Sequence, residues 1–179
     1  MKNKKLLNLI LAALFLGIGL VLPLLTGQIQ KFGNMLLPMH IPVLLCGFIC
    51  GPQFGLLVGA ILPIMRSLIF SMPVMYPNAV AMAFELVAYG FISGFLFTRA
   101  KSQNLRSIYF SLVAAMLGGR LVWGIAQTVL LGLGGFTVKM FVAGAFLNAI
   151  PGIIIQLVLI PAIMVALDKT HLVPMKKNN

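Results

Sequence analysis

Six apolar runs, at about 6–26, 39–51, 53–70, 78–98, 107–132 and 139–167, succeed one another with only short polar or breaker-rich stretches between them. Within each run the apolar residues are continuous rather than alternating. That excludes a transmembrane β-barrel, whose strands must show one face to lipid and the other to a polar lumen. A bilayer core is crossed by roughly 20 apolar residues in helical form, and a helix satisfies its own backbone polar groups there. The expected fold class is therefore all-α: a polytopic membrane protein, a single domain over 1–179, with about six transmembrane helices in a compact bundle. Hydrophobic residues make up 61% of the chain and charged residues 8%, with a mean hydropathy of +1.10. Such a composition leaves no room for a soluble domain beside the spans.

Breakers and polar residues mark the connections: "TGQIQKFGN", the Gly51-Pro52 turn, "SMPVMYPN", "TRAKSQNLR" and "LGGFTVK". Pro38, Pro52, Pro73 and Pro77 suit helix ends, where a missing N–H costs little. Pro23, Pro42, Pro63, Pro151 and Pro161 fall inside or near the ends of spans and are expected to kink them. The opening "MKNKKLLNLILAALFLGIGLVLPLLTG" imitates a secretory signal. It lacks an A-x-A site, however, and the downstream runs are equally apolar, so it reads as an uncleaved first span.

The formal net charge of +11 could suggest nucleic acid, but the positions of the charges argue otherwise. Nine of the thirteen basic residues form three clusters, Lys2, Lys4 and Lys5; Arg99, Lys101 and Arg106; and Lys169, Lys176 and Lys177. Basic residues that flank spans set topology by the positive-inside rule. Four spans, then two, separate these clusters, so the N- and C-termini are both expected to be cytoplasmic. The outer loops then hold only Lys31 and Lys139.

Charges within lipid are costly and are functional candidates by default. Arg66, Glu85 and Arg120 lie well inside spans, His40 lies at the outer start of the second, and Asn148 lies some nine residues inward from the outer end of the sixth. With about 1.5 Å rise per residue, these five are expected to converge in the outer half of the membrane. A purely structural pairing of Glu85 with Arg66 or Arg120 would leave one arginine over, and an unpaired guanidinium in a dry bundle is expensive. A bound ligand would satisfy it. His40 either shapes the pocket mouth or bonds a helix-end carbonyl. Trp123, on the Arg120 face of its helix, either stacks on a ligand ring or packs. Tyr76 and Asn78 either lid the pocket or sit at the interface.

Other features narrow the class. Ala13-x-x-x-Gly17 in the first span lets another helix approach closely. Cys46 and Cys50 read as small packing residues with no metal partner. There is no G-x-x-x-x-G-K-[ST], H-E-x-x-H or G-x-S-x-G. Glu85 and Asp168 are the only acids, so acid–base catalysis is poorly supplied and no enzyme, cofactor or metal site is expected. The chain reads as a binder without its own energy source.

The stretches "LLPMHIPVLLCGFICGP", "AMAFELVAYGFISG", "GGRLVWG" and "AGAFLNAIPGIIIQLVLIP", with the small-x-x-x-small first span, resemble the substrate-binding S components of energy-coupling factor (ECF) vitamin transporters. The resemblance covers nearly the whole chain. It implies a six-helix protein of a bacterial cell membrane that captures a vitamin from outside with high affinity. Its implied partners are an ECF transmembrane coupling protein and two cytoplasmic ATP-binding subunits, and transport would involve toppling of the docked S component. Ala13 and Gly17 would form the docking motif, Gly17 standing where a second alanine is more usual. Within the family the chain looks most like pantothenate-assigned members. Arg66 or Arg120 would hold the carboxylate, and Glu85, His40 and Asn148 would serve hydroxyl and amide groups. The alternatives are a cobalamin precursor such as α-ribazole or dimethylbenzimidazole, with Trp123 stacking on the bicycle, another B-group vitamin, or a stand-alone secondary transporter.

Overall fold

A computed structural model describes residues 4–26, 35–132, 134–170, 173 and 175. The expected connection at 27–34, with Lys31, lies outside the described residues, as do Lys2, Lys176 and Lys177. Helices match the apolar runs: α1 (Lys4–Val21), α2 (His40–Cys50), α3 (Pro52–Phe70), α4 (Val80–Arg99), α5 (Leu105–Leu131), α6 (Val138–Val142) and α7 (Ile150–Lys169). Among the described residues there is no strand.

Among the described residues, five helical stretches are long and apolar enough to cross a membrane: Lys4–Leu24, Pro52–Phe70, Met75–Arg99, Leu105–Leu131 and Val138–Lys169. The second expected span departs from this. Helix α2 has 11 residues, about 16 Å at the helical rise, or roughly half of a hydrocarbon core. Backbone conformation fixes its limits: Leu37 has a φ of 49° before it, and Gly51 has a φ of 93° after it. Pro52 then opens α3, where its missing N–H is harmless. The sixth expected span is also interrupted. A π turn at Ala143–Leu147 leads to a break at Asn148 and Ala149, and Pro151 sits in the first turn of the restarted α7.

Two long-range bonds define how the chain runs. Asn8, early in α1, donates Nδ2 to the Cys50 carbonyl at 3.2 Å, so the start of α1 lies beside the end of α2. Arg66, late in α3, donates Nη1 to the Leu20 carbonyl at 2.8 Å, so α1 and α3 end together. The bundle thus has a basic end, with the 99–106 connection, and a far end, where α2, α4 and α7 begin and α5 finishes. At the basic end Asn104 caps α5, its Oδ1 accepting from Ser107 N at 3.0 Å while Ser107 Oγ accepts from Asn104 N at 3.1 Å.

Glycines set the spacing of α2, α3 and α4. A Cβ at Gly55 would lie 2.5 Å from the Gly90 carbonyl oxygen, and one at Gly47 would meet the same oxygen at 2.5 Å. The obstacle is backbone, so neither partner can step aside. Gly90→Leu is expected to force α4 away from α3 and cost about 1–3 kcal/mol of stability, read as a lower unfolding temperature in detergent. An unchanged temperature would mean that the helices are not packed this closely.

Buried apolar residues form two clusters. One joins α2, α4, α5 and α7 through Leu44, Tyr89, Met116 and Ile160 among others. The other joins α1 to α4 through Ala12, Val43, Cys46, Leu62 and Leu86. Cys46 and Cys50 are buried free thiols, in keeping with a packing role. On the outside, Leu117, Leu121, Ile125 and Val129 line one face of α5. An apolar stripe of that kind suits lipid rather than water.

Candidate functional site

Helix α4 supplies the acid. Glu85 stands four residues from Tyr89 on the same buried face, and the glycine contacts behind it hold α4 tightly against α3. Helix α5 supplies the base. Gly119 rests on Tyr89, where any Cβ would collide with the ring, so α5 approaches closely enough for Arg120 to reach the acid. Arg120 Nη1 lies 2.8 Å from Glu85 Oε1. The first residue of α2, His40, places Nε2 3.4 Å from the same oxygen and its ring edge-on to Tyr89, centroids 5.0 Å apart. His40 and Glu85 are each 1% exposed and Arg120 5%. Three expected residues from three helices therefore meet in the interior.

The group is not internally satisfied. Both His40 nitrogens, Glu85 Oε1, Tyr89 Oη and Arg120 Nε and Nη2 are buried without a hydrogen-bond partner, so the Arg120–Glu85 contact is an ion pair rather than a well-aligned hydrogen bond. Arg120 approaches Glu85 through Nη1, and its Nε–Nη2 edge has no hydrogen-bond partner. Two donors on that edge point the same way and match a carboxylate or phosphate in bidentate fashion. Buried polar groups are normally paired, so this unpartnered fork is the feature of the group chemically suited to an anionic or hydroxyl-rich partner.

The other expected residues are placed differently. Arg66 is 3% exposed but engaged elsewhere: besides Leu20, it lies over the Phe70 ring at 5.1 Å. The carbonyls of a helix's last turn lack intrahelical donors and carry partial negative charge, and the end of α1 offers Arg66 that environment. The expected surplus of one positive charge therefore does not gather around Glu85. Arg66→Gln is expected to loosen α1 and lower stability by about 1.5–3 kcal/mol, the worth of a hydrogen bond to a charged group, while changing ligand affinity less than twofold. A tenfold loss of affinity would place Arg66 in the site after all.

Asn148 falls in the break before α7 with its side chain exposed, so it does not join the buried group. The π turn that carries Asn78 meets α5: Asn78 Oδ1 accepts from Gln127 Nε2 at 3.4 Å, and Tyr76 Oη donates to the Leu130 carbonyl. These contacts tie the connection between α3 and α4 to the end of α5. Trp123 packs among aromatics, with Phe136 at 5.5 Å and Phe141 at 6.3 Å. Ala13 and Gly17 are exposed on α1, and a Cβ at Gly17 would meet nothing within 4 Å.

Further buried polar residues, among them Tyr89, Gln127 and Gln156, lie outside the expected set. Gln156 has a readable signal, a single amide inside "IPGIIIQLVLIP". Two surface grooves are apolar and do not include the charged group. One, of about 420 Å³, is lined by residues including Phe15, Pro42, Ile155 and Leu159. The other, of about 610 Å³, is lined by residues including Ile125, Phe136 and Phe141.

Several apolar helices are long enough to span a bilayer, and the charged group buried in their midst marks the candidate functional site of a membrane protein. The chain belongs to the family described as "ECF transporter, substrate-specific component", whose model matches residues 7–165. It is therefore a multi-pass membrane protein from a family of transporter components, not of enzymes. Neither a curated protein nor a solved structure matches the chain.

Proposed function

We propose that the chain is the high-affinity capture subunit of an ATP-driven vitamin importer, and that its vitamin is pantothenate. One observation carries the reading: the buried, open Nε–Nη2 fork of Arg120 beside Glu85 and His40. In this reading the fork takes the carboxylate, and His40 and Glu85 serve the hydroxyl and amide groups. Tyr76 and Asn78 close the far end, which faces outside. Both termini are cytoplasmic, and α2 completes a sixth, half-length passage. Ala13 and Gly17 present the face of α1 on which a transmembrane coupling protein docks, and two cytoplasmic ATP-binding subunits supply the energy.

Native mass spectrometry of protein purified from rich medium tests the ligand. A bound species of pantothenate's mass is expected, whereas α-ribazole or another vitamin would replace that assignment. Reconstitution tests the energy source. Liposomes holding this chain alone should not accumulate labelled pantothenate, and accumulation against a gradient without ATPases would make it a stand-alone transporter.

A further inference from the structure

Leu44, Tyr89, Met116 and Ile160 belong to one buried apolar cluster, contributed by α2, α4, α5 and α7. Residues four apart share a helix face. One turn from each of these four, always toward the far end, stand His40, Glu85, Arg120 and Gln156. The direction agrees in every helix, because α2, α4 and α7 start at the far end and α5 finishes there. Three of the four residues are already in contact. The fourth, Gln156, is fully buried, and neither its Nε2 nor its Oε1 has a partner. Gly152, one turn further out on the same face, lies against the backbone of Met35 and Leu36 just before α2, which keeps α7 close to the segment carrying His40.

We infer that Gln156 is a substrate-binding residue, the fourth wall of the layer formed by His40, Glu85 and Arg120. An amide both donates and accepts, so it suits a neutral group that does the same, a secondary amide or a hydroxyl. The layer then holds an anionic group at the Arg120 fork and a neutral polar group at Gln156. This rests on reading the layer as the substrate site.

The test compares wild type with Gln156→Leu, which keeps the bulk and removes both polar atoms, and with Gln156→Asn, which keeps the amide. Calorimetric titration with pantothenate should show at least tenfold weaker binding for the leucine variant and a smaller loss for asparagine. The ligand-free leucine variant should unfold at the same temperature as wild type or higher, since an unpaired buried amide has gone. Leucine binding within twofold of wild type overturns the inference. If the leucine variant does not fold, Gln156→Met, which also removes both polar atoms, takes its place, and binding within twofold of wild type there overturns it. If wild type instead carries a different small molecule from rich medium and the leucine variant loses it, the pantothenate assignment falls while Gln156 stands. A wild type that binds nothing overturns both.

Discussion

Arg120→Gln is expected to weaken pantothenate binding by roughly 30-fold to several thousandfold. Truncating one partner of a buried, hydrogen-bonded charge pair costs about 2–5 kcal/mol, and here the lost group offers both the charge and the fork. Arg120→Lys separates the two contributions. Lysine keeps a positive charge near Glu85 but cannot present paired donors, so it should retain stability better than affinity. A lysine variant that binds like wild type would show that charge alone suffices. The glutamine variant also strands Glu85, and the double variant Glu85→Gln with Arg120→Gln addresses that. Removing both charges should recover much of the stability lost by either single change, while binding stays lost.

Glu85→Gln carries the second large effect. Arg120 Nη1 is 2.8 Å from Glu85 Oε1 and both side chains are almost fully buried. Breaking such a pair by removing one partner costs about 3–5 kcal/mol, because a buried charge is left uncompensated. The ligand-free variant should therefore unfold at a clearly lower temperature. An anionic ligand would supply the missing negative charge, so saturating pantothenate should raise the unfolding temperature more in the variant than in wild type. Equal ligand-free stability would mean that the pair is not sealed from solvent. A variant that ligand fails to stabilise would show that Glu85 itself makes an essential contact.

The helical class and most boundaries are readable in the sequence, because Gly, Pro and polar residues interrupt otherwise continuous apolar runs. Hydropathy misjudges α2, since "HIPVLLCGFIC" is as apolar as a span but has only 11 residues of helix. It also runs through the break at Asn148, although Pro151 marks a kink there in the sequence; the π turn before it leaves no such mark. Charge position alone brings Glu85 to one of two arginines, but cannot decide which. The choice depends on Gly119 seating α5 against Tyr89 and on the end of α1 taking Arg66. Tyr89 is hard to single out because a tyrosine in a membrane helix reads as packing or interface. Gln156 carries no charge to draw attention, although an amide among isoleucines must find a partner somewhere.

The most direct measurement is a crystal structure of the protein purified from rich medium or saturated with pantothenate. Small-molecule density within hydrogen-bonding distance of Arg120 Nε and Nη2, in the layer with His40 and Glu85, is expected. A ligand bound elsewhere, with Arg120 and Glu85 still facing only each other and the surrounding protein, would contradict the site.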